Sequence, residues 1–192
     1  MKIKHKKPYK PLVQMPWCCA ACAILWVLHR KGYWVDQEVI AKEIKIKIPA
    51  KEKNKFTVKL KTCRKEEDCG APNIIGKEYN LINKFFKKHK IPFKHTPYKI
   101  SKIKDVKQFI IDNLKKENDI MFSFCWRGLG KPWNWGHVVL LSEFDTKTNE
   151  ILIGDPSPKH PKFWKAKLDK ITHAMLPKWD KEERGFYIFS RE

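Results

Sequence analysis

From Cys18 to Leu28 the chain runs through Cys-Cys-Ala-Ala-Cys-Ala-Ile-Leu-Trp-Val-Leu without a single charge. Cys18 to Arg30 therefore reads as a helix that is apolar nearly all round. Such a helix has no face to give to water and has to be enclosed by the rest of the fold. Lys31-Gly32 ends it, with Gly32 suited to the C-terminal cap. At 192 residues the chain is long enough to wrap one such helix in a single core, so one domain over 1–192 is expected.

The remaining elements come in two blocks. Asp36 to Lys45 reads as an amphipathic helix with Val39, Ile40 and Ile44 on one side. Gly76 to Lys90 reads as another, with Tyr79, Ile82, Phe85 and Phe86 as its stripe. Ser101 to Lys116 is a third, capped by Ser101, with Val106, Phe109, Ile110 and Leu114 inward. Strands follow at 119–126, 137–144, 150–154 and 185–190, and Phe163 to Leu176 is mixed. Helices first and an antiparallel sheet second make an α+β order. Residues 1–12 read as a basic arm, and 47–73 as an insertion or long loop near the cleft.

Composition narrows the classes. There is no apolar run of 18 residues, so no membrane span is expected. The basic start followed by an apolar stretch imitates a signal peptide. Trp17 and Trp26 fit such a segment badly, and no clean cleavage site follows. The six cysteines form no obvious disulfide framework, which favours a reduced, cytoplasmic setting. The net charge of +20 comes from 36 Lys and only 5 Arg. Specific nucleic-acid contacts favour Arg, so the charge implies at most weak electrostatic binding to anionic partners, added to another activity.

Three stretches carry chemistry: Gln14 to Cys22, Gly136-His137-Val138-Val139-Leu140 and Gly154-Asp155-Pro156. In order they supply an amide, a thiol, an imidazole and a carboxylate. An imidazole converts a thiol to thiolate, and a carboxylate fixes the imidazole's tautomer. Cys18 would open the buried helix, where unpaired N–H groups and the helix dipole favour an anion. Ala20 and Ala21 would let the sheet approach that end closely. If Phe144 pairs with Glu150 in a 137–154 hairpin, paired numbers sum to 294 and His137 and Asp155 share a face, about 7 Å apart. A slip of one residue would place them on opposite faces. Gln14 would donate to an oxyanion together with the Cys18 N–H. Trp17, Trp133, Trp135 and Gly136 would line the substrate cleft. No cofactor and no metal are called for.

At these residues the chain resembles the papain-like cysteine peptidases, and more narrowly the bacteriocin-processing family that cuts double-glycine leader peptides. Cys18-Cys19-Ala20-Ala21-Cys22 is similar to that family's Cys-Gly-Ala-Ala-Cys segment, His137-Val138-Val139 to its His-Val-Val, and Asp155-Pro156 to its Asp-Pro. The resemblance implies a papain-like fold, with an N-terminal central helix on an antiparallel sheet. It also implies a peptide or protein substrate cleaved through a thioester. It makes Cys18 the nucleophile, His137 the base, Asp155 the orienting residue and Gln14 the oxyanion donor. Cys19 stands where the family has Gly and is the next candidate nucleophile. Gln14 is closer to the Cys than is usual in the family. No phosphate loop or membrane domain accompanies the motifs, so a stand-alone domain is expected.

Two rival readings remain. Cys19-x2-Cys22 with Cys63 and Cys69 makes a four-thiol zinc set. Otherwise Cys63 and Cys69 are loop thiols or a local disulfide. A lysine-rich, non-catalytic binding module on the same fold is the other rival. Related amidase or transglutaminase-like acyl transfer would use the same parts.

Overall fold

The computed structural model describes residues 1–72 and 80–192, with Glu67 described by its backbone alone. The uncharged stretch forms helix α1 (Cys19–Arg30), in which ten of twelve residues are buried. It packs in a first core with α2 (Gln37–Glu43), α3 (Asn80–Lys88) and one face of a seven-stranded sheet. The other face carries a second core, closed by α4 (Val106–Lys115) and α5 (Leu168–His173). The architecture is α+β, with the early helix buried against an antiparallel sheet and further helices behind it.

The sheet joins β1 (Lys2–Lys4), β4 (Phe93–Lys99), β5 (Asp119–Cys125), β6 (Gly136–Asp145), β7 (Glu150–Gly154), β8 (Phe163–Lys167) and β9 (Gly185–Arg191). Its order is β4-β9-β5-β6-β7-β8, and β1 pairs with the far end of β6. All seven residues of β5 are buried, as a central strand covered on both faces requires. Strand side chains alternate between the two cores. Met121, Val138, Leu140 and Tyr187 join α1, whereas Phe122, Phe124, Val139 and Leu141 face the opposite way.

Several expectations change here. The first helix begins at Cys19, with Cys18 as its N-cap. The basic arm is not free: Lys2 to Lys4 form a strand on β6. The helix near 101–116 starts at Val106, and its cap is Asp105, whose carboxylate accepts from the Gln108 N–H at 3.0 Å. Strand β4 was not expected at all. The 76–79 part of the third helix, including Tyr79, and Asn73 of the insertion lie outside the described residues.

The inserted segment does carry structure. A two-stranded parallel pair, β2 (Lys47–Ile48) with β3 (Lys61–Thr62), anchors it. Buried Glu38 of α2 holds it further, accepting from the Thr57 N–H at 2.8 Å, the Thr57 hydroxyl at 2.6 Å and the Val58 N–H at 2.9 Å. These donors hold the Glu38 carboxyl below its ordinary range despite the opposing effect of burial. Cys63 and Cys69 are joined in a disulfide, which removes both from any four-thiol zinc set. Among the described residues no helix is long and apolar enough to cross a membrane.

The far end of α1 is held by charge. Buried Arg30 donates through Nε to Asp119 Oδ1 at 2.6 Å and through Nη1 to Glu117 Oε2 at 3.2 Å and the Lys7 carbonyl at 3.3 Å. The Tyr9 hydroxyl donates to the same Asp119 oxygen at 2.7 Å. Arg30 thus pins the helix to the start of β5 and to the N-terminal arm.

Candidate active site

Residues leading into α1 make a tight turn. The Cys18 N–H donates to the Met15 carbonyl at 3.0 Å, with Pro16 and Trp17 between them. Trp17 has φ 64°, a left-handed value that a turn of this kind normally fills with Gly or Asn. The strain sits immediately before the helix N-terminus, where strained residues often serve a site. The Gln14 N–H donates to the Pro156 carbonyl at 2.9 Å, which ties this turn to the Asp155-Pro156 segment.

Adjacent residues on an α-helix point about 100° apart, so only one of two neighbouring cysteines can face a given partner. Here that residue is Cys19. His137 and the backbone of Val138 and Ala20 stabilise its thiolate. Burial raises its pKa, but His137 and the two backbone contacts outweigh burial and leave it below the ordinary thiol value. Cys18 is fully buried, and its pKa is pushed far up, first by burial and then by Cys19, Cys22 and Glu38. His137 thus acts on Cys19 and not on Cys18. Cys18 stands at the N-cap with its side chain buried in the first core.

His137 and Asp155 meet as expected. Nε2 of His137 lies 2.7 Å from Asp155 Oδ1, leaving Nδ1 as the nitrogen for the thiol. The hairpin that joins them differs from the simple register. At its tip Asp145 pairs with Glu150 and Phe144 with Ile151, a sum of 295. A bulge between Leu141 and Glu143 then shifts the ladder, so that Leu141 pairs with Ile153 and Leu140 with Gly154, a sum of 294. Ser142 is the extra residue. Were Ser142 paired in a continuous 295 ladder, Asp155 would face Leu140 and the two functional side chains would point to opposite faces.

Asp155 is fully buried and well supplied with donors: the Ser157 N–H at 2.9 Å and Trp164 Nε1 at 3.0 Å. Burial raises its pKa, but His137, Ser157 and Trp164 together leave it lowered. For His137, burial acts to lower the pKa; Asp155 and Cys19 outweigh it and hold the ring raised to about 9. The site thus favours a thiolate beside an imidazolium. Trp126 stacks on the His137 ring, with centroids 5.5 Å apart at 22°, and Phe124 meets it edge-on at 5.9 Å.

His160 is a neighbour that sequence reasoning missed. Its Nδ1 lies 3.3 Å from Asp155 Oδ2, and its ring packs 4.7 Å from Trp126. The signal was the return of the chain after Asp155: the Asp155 N–H donates to the Lys162 carbonyl at 2.9 Å, closing a short loop that carries His160 back. His137, Asp155 and His160 place donor atoms of metal-ligand type within 4.8 Å of one another. The 2.7 Å separation of His137 and Asp155 is a hydrogen-bond distance. Two ligands of a tetrahedral zinc ion would stand roughly 3.3 Å apart.

The other expected residues surround this centre. Trp133 and Trp135 are exposed and stacked, 5.7 Å apart at 12°, and Trp133 meets Trp126 edge-on. Gly136 lies under the Arg184 guanidinium, which Asp180 holds through Nε at 3.0 Å. Gly154 is pressed by the Trp26 ring, which would stand 2.9 Å from a Cβ there. Trp17 is partly buried against the first core. The Gln14 Oε1 atom is buried without a hydrogen-bond partner. A cavity of about 50 Å³ beside Val138 is lined by Ser123, Tyr187, Ala71 and Pro72, so the inserted segment reaches the site's flank. A larger cavity of about 300 Å³ lies at the opposite end of α1 and contains none of these residues.

No protein-family model matches the chain, and no curated protein matches it. Among solved structures it is similar to a double-glycine motif protease from an AMS/PCAT transporter, crystallised with its leader peptide. The TM-score is 0.47 and the identity 14%, over 100% of this chain and 99% of that one.

Proposed function

We propose that the protein is a cysteine peptidase working by acyl transfer, with Cys19 as nucleophile, His137 as its acid and base, and Asp155 as the orienting carboxylate. The observation that carries this reading is the buried His137–Asp155 pair, 2.7 Å apart, whose charge lowers the pKa of the Cys19 thiol at the start of α1. The Cys19 thiolate attacks a peptide carbonyl, and the helix N-terminus receives the oxyanion. Imidazolium at His137 protonates the leaving amine, and water then hydrolyses the thioester. Gln14 is the proposed side-chain donor to the oxyanion, since its backbone already holds it to the Asp155-Pro156 turn. Trp17, Trp133, Trp135 and Gly136 are proposed to contact substrate. A peptide substrate follows from the sequence resemblance to the leader-cutting peptidases, and the roughly 50 Å³ cavity suits a small side chain.

The test is hydrolysis of a fluorogenic peptide panel by the wild type, Cys19→Ala and Cys18→Ala. Loss of about 10³-fold or more in Cys19→Ala, with Cys18→Ala retaining turnover, is expected. The reverse pattern would return the nucleophile to Cys18. Thiol-independent behaviour of every variant, with salt-sensitive binding to polyanions, would replace catalysis by the lysine-rich binding role.

A further inference from the structure

Acyl transfer has no use for Cys22, yet it stands three residues after Cys19 on the same helix. Helical residues at this spacing are neighbours on one face. Their alpha carbons lie about 5 Å apart, within the range that a disulfide spans. The Cys22 thiol is fully buried and feels the charge on Cys19. Among the free cysteines Cys18, Cys22 and Cys125 are buried, whereas Cys19 is partly exposed. An oxidant therefore meets Cys19 first, with Cys22 waiting one turn beneath it.

We infer that Cys22 is a resolving thiol, which closes a reversible Cys19–Cys22 disulfide when a peroxide oxidises Cys19 and so shields the nucleophile from irreversible oxidation. The Cys19 thiolate attacks one peroxide oxygen. An S–O bond forms, the O–O bond breaks and hydroxide leaves, so sulfur is oxidised to sulfenic acid and peroxide is reduced. Cys22 sulfur then attacks the Cys19 sulfur. The S–S bond forms, the S–O bond breaks, and the departing hydroxide takes the Cys22 proton as water. A dithiol reverses the bond and is itself oxidised. Burial keeps the Cys22 thiol protonated, with its pKa raised to about 12, so it is inert until a sulfenic acid forms beside it. Cys18 is the poorer partner, because a bond between adjacent residues would distort the helix start.

The inference rests on Cys19 being the reactive thiol of the proposed peptidase. The full chain is treated with about ten equivalents of hydrogen peroxide, enough for the two successive oxidations that sulfinic acid requires, free thiols are blocked with iodoacetamide, and peptides are sequenced by mass spectrometry. The expected result is a Cys19–Cys22 bond in the wild type and Cys18→Ala, and none in Cys22→Ala or Cys22→Ser. Circular dichroism checks that both Cys22 variants fold. Dithiothreitol should restore peptidase activity at least 10-fold in the wild type, while Cys22→Ala stays inactive with Cys19 as sulfinic acid. A Cys18–Cys19 or Cys18–Cys22 bond, or sulfinic acid forming as fast in the wild type as in Cys22→Ala, overturns the inference. The bond is read without substrate, whereas the peptidase reading fails separately, through turnover retained in Cys19→Ala.

Discussion

At the scale of single residues, the charge balance around His137 sets the pH behaviour. In the proposed peptidase the active form pairs a Cys19 thiolate with a protonated His137. The acid limb of kcat/KM then follows the lowered Cys19 pKa, and the alkaline limb lies near 9, where His137 loses its proton. Asp155→Asn removes the charge that outweighs burial. It should move the alkaline limb down toward the ordinary histidine range and cut kcat by about 10²–10⁴-fold. A pH–rate profile of both proteins checks this. Stability follows the same groups. The His137 contribution is complete below about 6.5 and fades as pH rises through about 9. The Asp155 contribution, from a lowered pKa, is present above the usual carboxylate range and fades as pH falls through the lowered value.

At the scale of elements, the β6–β7 register decides whether His137 meets Asp155. Deleting Ser142 should leave a regular ladder in which Leu141 still pairs with Ile153, so His137 and Asp155 keep a common face. Activity should stay within about 10-fold of the wild type, and an NMR titration should still find the His137 pKa near 9; loss of both would mean that the ladder had slipped to another register. Arg30→Ala tests the other end of α1. It leaves the Asp119 carboxylate buried without its closest partner and should cost about 3–5 kcal/mol in urea unfolding. The strands that frame the site were legible because their apolar runs are long and bounded by turn residues. The bulge was not, since Leu-Leu-Ser-Glu-Phe reads equally well in either register. Nor was the phase of α1: a helix apolar on every side does not say which cysteine faces the sheet. Strand β4 escaped notice because Phe-Lys-His-Thr-Pro-Tyr-Lys is polar and contains a proline, features of an edge strand. His160 lies in a proline-rich loop, where only the closing of the chain brings it back to Asp155.

At the scale of the whole molecule, a net charge of +20 opposes compaction. Added salt screens that repulsion over about 10 Å at 0.1 M. Raising sodium chloride from about 0.02 to 0.3 M should therefore increase Tm by roughly 2–4 °C for each kcal/mol relieved, as calorimetry can record. An unchanged or lower Tm would mean that the charges are already compensated by their surface ion pairs. The route of the N-terminal arm has a further outcome. It starts as a strand on β6, touches Arg30 through the Lys7 carbonyl, reaches Asp119 through Tyr9 and meets Pro156 through Gln14. It therefore straps down both ends of the helix that bears Cys19. Trimming the first ten residues to tidy an expression clone would unbuckle that strap and strip Asp119 of its tyrosine, so tags belong at the opposite terminus.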